Sequence, residues 1–148
     1  MNMTKNIVTM KATIYHTPKC SKSRAALEYL TRYNVSLDVK LYMDKGITRS
    51  EIYDILTLVN CDIDNILRKE DVILIDKYCE GLMLSKEGII NAIIEHPILL
   101  QRPIILLKEK GIGAIARSED TLIKLFKDAE VDLKEFQTLQ EKGEQKII

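Results

Sequence analysis

The chain has 148 residues, of which 46% are hydrophobic and 30% charged, and its 22 basic side chains balance its 22 acidic ones. This length and composition are typical of one compact domain with a hydrophobic core. Because the net charge is zero, no overall field attracts nucleic acid or an anionic membrane surface, and we expect neither as a partner.

The first predicted elements are a strand, a helix and a second strand. Residues 12–15 predict a short strand, and Ser21–Arg32 carries apolar residues at helical spacing without a breaking residue. Residues 35–43 alternate with a period of two, which predicts the second strand. The short connections favour a βαβ unit in which a right-handed crossover makes the two strands parallel.

The middle of the chain is predicted to be helical. Thr48 and Glu51 have the spacing of a capping box, and the apolar residues after them recur at helical intervals to about residue 60. Residues 71–78 and 85–95 predict two further helices, the second capped by Ser85. The second of these ends before a proline, because the residue that precedes a proline avoids the helical region.

Two short strands and a helix complete the predicted order. Residues 104–107 and 113–116 are apolar runs on either side of the turn Lys110-Gly111, and they predict a hairpin. Ser118 is predicted to cap a last helix that continues to Phe126.

This order indicates one thioredoxin-like α/β domain, with a small mixed sheet flanked by helices. Its predicted bounds are residues 12–127, with a helical insertion at about 48–98 between a βαβ half and a ββα half. Residues 1–11 are predicted as a leader, and residues 128–148 as a C-terminal extension that is helical or frayed. Since no segment has a signal-peptide core or the ~20 apolar residues that cross a bilayer, we expect a cytoplasmic protein.

Three cysteines raise the question of redox or metal chemistry. Cys20, Cys61 and Cys79 match neither a disulfide scaffold nor the paired spacing of a zinc site. We therefore expect reduced thiols and no metal, with any reactive cysteine set apart by its surroundings.

Cys20 lies in the loop between the first strand and the first helix. Free N–H groups of residues 21–23 and the positive end of the helix dipole favour a thiolate there, so we expect a pKa below the ~8.5 of a free thiol. A small buried cysteine is the alternative, but Pro18 before it and polar residues after it favour exposure. The nearby side chains that would add positive charge are Lys19, Lys22, Arg24 and a protonated His16.

Ser23 occupies the position of the second cysteine in a C-x-x-C motif. A hydroxyl can donate a hydrogen bond to a thiolate but cannot close a disulfide. The second reducing equivalent must then come from Cys61, Cys79 or an external thiol. We favour the external thiol, because Cys61 and Cys79 lie in or beside apolar helical segments.

Arginines at three element boundaries form a second candidate group. Arg68, Arg102 and Arg117 would each be read alone as a solvated surface charge. In a thioredoxin-like fold, however, the loop that holds Pro103 lies beside the start of the first helix, so Arg102 would face Cys20. A thiolate flanked by guanidinium groups is a site for a tetrahedral oxyanion, which arginine binds through paired N–H donors.

Four segments together resemble the glutaredoxin-dependent arsenate reductase family over residues 13–127. They are YHTPKCSKSR, LRKED, EHPILLQRPII and ARSED, in that order and at similar intervals. Thr17 stands where the family more usually has asparagine.

The resemblance implies a function and a set of site residues. Cys20 would be the nucleophile that attacks arsenate, and Pro103 would be the cis proline of the fold. Glutathione would be the co-substrate and glutaredoxin the partner that restores the thiol, with no bound cofactor or metal, and we expect a monomer. The remaining implied site residues are the anion-binding Arg68, Arg102 and Arg117 and the thiolate-tuning His16 and Ser23.

Two alternatives stay open at the level of sequence. One is a glutathione-dependent thiol reductase of the same superfamily that acts on another substrate, against which the three arginines argue. The other is a non-enzymatic thiol-stress regulator that binds RNA polymerase. Such regulators typically carry C-x-x-C in this loop, and Ser23 departs from that pattern.

Overall fold

A computed structural model of the protein describes residues 10–79 and 85–133. These residues form four strands and seven α-helices, five of the helices lying between the second and third strands, and short 3-10 turns cover Pro97–Leu99 and Lys108–Lys110. The elements are β1 Lys11–Tyr15, α1 Ser21–Arg32, β2 Ser36–Lys40, α2 Tyr42–Lys45, α3 Arg49–Val59, α4 Ile63–Ile66, α5 Val72–Cys79, α6 Lys86–Glu95, β3 Ile104–Leu107, β4 Ile112–Ile115 and α7 Glu119–Asp128.

The strands form one mixed sheet in the order β2-β1-β3-β4. β1 is parallel to β2, and β3 is antiparallel to both β1 and β4. The predicted thioredoxin-like arrangement, a βαβ unit and a ββα unit that share one small mixed sheet, is confirmed.

Helices cover both faces of this sheet, because its central strands are apolar on both sides. In β3, Ile104 and Leu106 belong to the core on one face and Ile105 and Leu107 to the core on the other, as the period of two requires. The first core contains side chains of α3, α4 and α6, and the second contains side chains of α1 and α7. The helices between β2 and β3 therefore build one whole layer of the protein.

Side-chain caps begin three of the helices at the predicted residues. Thr48 and Glu51 form the reciprocal capping box at the start of α3. The hydroxyls of Ser85 and Ser118 each accept a hydrogen bond from the N–H three residues later, at the starts of α6 and α7. These local signals were sufficient to place the N-termini of the helices.

The strand β2 is shorter than predicted. The alternating pattern predicted a strand over residues 35–43, but β2 covers Ser36–Lys40 and Tyr42–Lys45 forms α2. β2 lies at the edge of the sheet and pairs with β1, and the pairing ends at Tyr15 and Lys40. β1 ends at Tyr15, so the alternating residues after Lys40 have no neighbouring strand among the described residues to pair with.

The hairpin of β3 and β4 is confirmed, with one shift. β4 covers Ile112–Ile115, one residue earlier than predicted. The connection is a 3-10 turn that ends at Gly111, whose φ of 70° lies in the left-handed region that favours glycine.

Parts of the predicted leader and C-terminal extension, residues 1–9 and 134–148, lie outside the described residues. Within the described chain, Ala129 and Leu133 are buried against the core that α1 and α7 share. Across residues 10–79 and 85–133, every helix is too short or too polar to cross a bilayer.

Candidate active site

The register of the sheet brings three loops to one edge. Tyr15 at the end of β1 pairs with Lys40 at the end of β2 and with Ile104 at the start of β3. The loops that follow β1 and β2 and the loop that precedes β3 therefore leave the sheet side by side. The first carries Cys20, and the third carries the cis peptide bond between Arg102 and Pro103.

Cys20 is the N-cap residue of α1 and is half-buried. Burial acts to raise the pKa of its thiol, but the backbone N–H groups of Ser23 and Lys22 and the guanidinium of Arg102 outweigh burial, and the pKa lies below its usual value. Since the two N–H groups belong to the first turn of α1, they are the donors that a helix start leaves free. The thiolate is stabilised by backbone dipoles and by one arginine.

His16 and Ser23 form a buried pair beneath this loop. The His16 Nδ1 and Ser23 Oγ atoms are 2.7 Å apart, and Ser23 Oγ also accepts a hydrogen bond from the N–H of Thr17 at 3.0 Å. Burial, followed by the charge of Arg24, lowers the pKa of His16.

This pair corrects two details of the sequence prediction. A protonated His16 was expected to add positive charge, but burial and Arg24 favour the neutral ring at neutral pH. Ser23, predicted to tune the thiolate, acts on the sulfur through its backbone N–H, while its hydroxyl, which could have donated to a thiolate, bonds to His16 and Thr17. Both side chains thus shape the loop that holds Cys20.

Arg102 is the arginine that interacts with Cys20. Its charge acts on the sulfur, and its Nη1 donates to the carbonyl of Ile98 at 3.2 Å. Arg117, which follows β4, donates from Nη1 to the carbonyl of Arg102 at 2.6 Å. Arg117 therefore fixes the backbone of the Pro103 loop, from which the Arg102 side chain extends.

Arg68 reaches the same region from the loop that follows α4. Leu67 and Leu100 form an isolated antiparallel bridge, and the N–H of Arg68 donates to the carbonyl of Leu99 at 2.8 Å. The bridge attaches the Arg68 loop to the segment that leads into Pro103. The Nη2 of Arg68 lies 3.9 Å from Oδ2 of Asp71.

Comparison with known families identifies the relationship that these motifs predicted. A model described as the ArsC family matches residues 15–127, most of the described chain. The chain belongs to the ArsC family.

Relatives of this ArsC family member include two proteins named arsenate reductase. One, from Neisseria meningitidis serogroup A, is 34% identical over 99 residues, which are 66% of this chain and 85% of the relative. Another, from Haemophilus influenzae, is 30% identical over 118 residues, which are 79% of this chain and 100% of the relative.

Solved structures share the fold of the ArsC family member. A structure described as arsenate reductase from Vibrio cholerae superposes with a TM-score of 0.71 at 24% identity, covering 80% of this chain and 99% of the other. At this identity the likeness concerns the thioredoxin-like fold alone.

Sequence reasoning missed three residues of the site. The buried Tyr42 follows β2 and had been assigned to a strand. Gln101 donates from Nε2 to both carboxylate oxygens of Glu70, at 3.0 and 2.8 Å. Burial acts to raise the pKa of Glu70, but Gln101 and the charges of Arg117 and Arg68 lower it below its usual range. Glu70 is therefore a carboxylate that feels the charge of two of the predicted arginines, and its position beside Gln101 depends on pairing that no local pattern reveals.

The other two cysteines differ from Cys20 in their surroundings. Burial and the charge of Asp62 raise the pKa of the Cys61 thiol, and burial raises that of Cys79. Cys79 is fully buried and belongs to the core on the α3 and α6 face of the sheet. Among the described residues of the ArsC family member, no group of three His, Cys, Asp or Glu side chains is placed to hold a metal ion.

Proposed function

We propose that this protein reduces arsenate to arsenite with Cys20 as its nucleophile. The observation that carries the proposal is the meeting of a stabilised thiolate with the guanidinium of Arg102 at one edge of the sheet. Arg68 and Arg117 stand in the adjoining loops, attached to the same segment. Relatives that are 30% and 34% identical and are named arsenate reductase support the choice of substrate.

In the first step the Cys20 thiolate attacks arsenic(V). A sulfur–arsenic bond forms and an arsenic–oxygen bond breaks, and that oxygen leaves as hydroxide and is protonated to water. The guanidinium groups of Arg68, Arg102 and Arg117 stabilise the negative charge on the remaining oxygens. Phosphate has the same shape and charge but resists reduction by thiols, so we expect it to bind and inhibit.

Glutathione supplies the electrons in the second step. Its thiolate attacks the sulfur of Cys20, a disulfide bond forms, and the sulfur–arsenic bond breaks with its electron pair left on arsenic, which departs as arsenite. Glutaredoxin then removes the glutathione by thiol–disulfide exchange and restores the Cys20 thiolate. A cavity of about 330 Å³ lies beside the Cys20 loop, between α1 and α7, and its charged lining residues are Lys22, Arg117 and Glu119. The two cations outnumber the one carboxylate, which supports a small anionic thiol as co-substrate.

A coupled assay tests this function. Arsenate-dependent oxidation of NADPH is measured with glutathione, glutaredoxin and glutathione reductase, and Cys20→Ser should abolish it because serine cannot form the sulfur–arsenic bond. Replacing glutaredoxin with thioredoxin in a parallel reaction should lower the rate, because the proposed intermediate is a disulfide with glutathione.

A parallel measurement distinguishes arsenate reduction from the main alternative, a glutathione-dependent thiol reductase. Reduction of a glutathione mixed disulfide by the wild-type protein, without any turnover of arsenate, would favour a thiol reductase and contradict the proposal.

A further inference from the structure

Tyr42 is a fully buried tyrosine at the sheet edge that carries Cys20. It begins α2, directly after β2 ends beside β1, and 1% of its side chain is exposed. Its ring packs edge-on against Tyr15, with 6.3 Å between the ring centroids. The phenol oxygen accepts a hydrogen bond from Oγ1 of Thr17 at 3.1 Å.

Because the phenol oxygen is the acceptor in this hydrogen bond, the O–H of Tyr42 remains available to donate. A phenol is one donor and also an acceptor, and within residues 10–79 and 85–133 the bond accepted from Thr17 is the hydrogen bond that the phenol of Tyr42 makes. Burying an O–H without an acceptor costs free energy, so we expect a bound ligand to supply an acceptor for this donor.

The groups around the phenol indicate which partner that is. Arg102, Arg68 and Cys20 all lie within electrostatic range of Tyr42. The helix α2 packs on the turn Pro97–Leu99, and the carbonyl of Ile98 in that turn holds the guanidinium of Arg102. The phenol donor therefore lies within electrostatic range of two cations and the thiolate, on a helix that packs against the turn that holds Arg102. An anion with acceptor oxygens would be held in this region.

We propose that Tyr42 is an oxyanion-binding residue, whose O–H donates a hydrogen bond to an oxygen of a tetrahedral anion held by Arg102 and Arg68. Thr17 is its positioning residue, because the hydrogen bond from Thr17 fixes the rotation of the phenol O–H. The inference rests on the proposed function for the site, but it requires the binding of a tetrahedral oxyanion and not its reduction.

The protonation state of Tyr42 suits this role. Burial raises the pKa of its phenol above the usual value, and this effect exceeds those of Thr17, Arg102 and Arg68, which act to lower it. The group therefore keeps its proton at neutral pH and adds a donor without adding charge. A neutral donor of fixed direction complements guanidinium groups, which supply most of the attraction for an anion.

The test measures anion binding directly, by protection of Cys20 from iodoacetamide. Inorganic phosphate is titrated, and the Cys20 adduct is followed by mass spectrometry of the full-length protein. Tyr42→Phe removes the hydroxyl and keeps the ring, so the phosphate concentration for half-protection should rise about tenfold or more. Thr17→Val should raise it by a smaller factor, and Thr17→Ser, which keeps the hydroxyl, should restore it.

Two controls exclude a merely structural effect. Tyr15→Phe removes a second buried phenol, which donates to Oε2 of Glu51 at 3.4 Å, and it should leave phosphate protection unchanged. The pH midpoint of Cys20 alkylation without phosphate should also be unchanged in Tyr42→Phe, since an uncharged group is lost.

The outcomes distinguish this inference from the proposed function. Protection by phosphate that weakens in Tyr42→Phe supports the inference, even if the wild type does not turn over arsenate. Equal protection in a folded Tyr42→Phe variant and in the wild type overturns it, even if arsenate is reduced. An absence of phosphate protection in the wild type also overturns it.

Discussion

The charge states of individual side chains decide how Cys20 reacts. The thiolate is stabilised by backbone N–H groups of the first turn of α1 and by the guanidinium of Arg102. His16, which titrates near neutral pH when exposed, is buried and held neutral. The reactivity of Cys20 should therefore follow a single titration, that of its own thiol.

The pH dependence of alkylation tests this stabilisation. The rate of reaction of Cys20 with iodoacetamide should have a midpoint below the ~8.5 of a free thiol. Because the pKa is lowered in the folded protein, the thiolate persists as the pH falls below that value and is lost only at the folded-state pKa. Arg102→Ala should raise the midpoint, whereas Arg102→Lys should change it little because the charge stays.

Arg102→Lys also separates the effect of the positive charge from the effect of the guanidinium geometry. Arsenate kcat/KM should fall by more than about tenfold in Arg102→Lys, because lysine lacks the paired donors of the guanidinium. Lys19, which the sequence suggested as a source of positive charge, is exposed, and solvent screens its charge. Lys19→Ala is therefore the control for general charge and should not move the midpoint. A wild-type midpoint at or above that of a free thiol would show that the helix start does not activate this cysteine.

At the residue scale, sequence predicted what depends on local backbone and missed what depends on burial. The activation of Cys20 follows from its place at the start of a helix, which the apolar spacing of α1 reveals. The neutral state of His16 and the hydrogen bonds of the Ser23 hydroxyl depend on how the loop folds back beneath the sheet edge.

At the scale of elements, the helix caps could be predicted from local sequence, whereas the strand pairings could not. Thr48, Ser85 and Ser118 signal helix starts within a few residues of sequence, and the structure has those caps. The early end of β2 and the bridge of Leu67 with Leu100 depend on partners far along the chain. Tyr42 and Gln101 were missed for this reason, because each reaches the site through an element whose end or partner has no periodic signal.

The hairpin of β3 and β4 supports a prediction about stability. Gly113 lies opposite Leu106, and a Cβ added there would be 2.6 Å from Cδ2 of Leu106 and 2.9 Å from the backbone oxygen of Ile105. Gly113→Ala should therefore lower the free energy of unfolding by about 1–3 kcal/mol, measured by urea denaturation.

A substitution in the same hairpin controls for this effect. Lys110→Ala changes an exposed side chain and should alter the free energy of unfolding by less than about 0.5 kcal/mol. If Gly113→Ala and the wild-type protein had equal free energies of unfolding, β3 and β4 could move apart without a loss of stability, contrary to their packing.

At the scale of the whole molecule, a chain without net charge holds a local concentration of cations. The fold achieves this by bringing loops from three parts of the chain to one sheet edge, where Arg68, Arg102 and Arg117 share neighbours. Glu70, held by Gln101, is the carboxylate beside two of them. This edge therefore attracts anions locally, although the chain as a whole carries no net charge.

The positions of Cys61 and Cys79 in the fold also indicate which thiol supplies the second reducing equivalent. Cys79 is fully buried in the core on the α3 and α6 face, and Cys61 packs against that core. Burial raises the pKa of both thiols, so neither is prepared to attack a bond at Cys20.

Cys61→Ser and Cys79→Ala should keep most of the arsenate turnover. When glutaredoxin is omitted, mass spectrometry should find one glutathione on Cys20 in the wild type and in both variants. A disulfide between Cys20 and either of the other cysteines, together with loss of turnover in the matching folded variant, would replace the external thiol with an internal one.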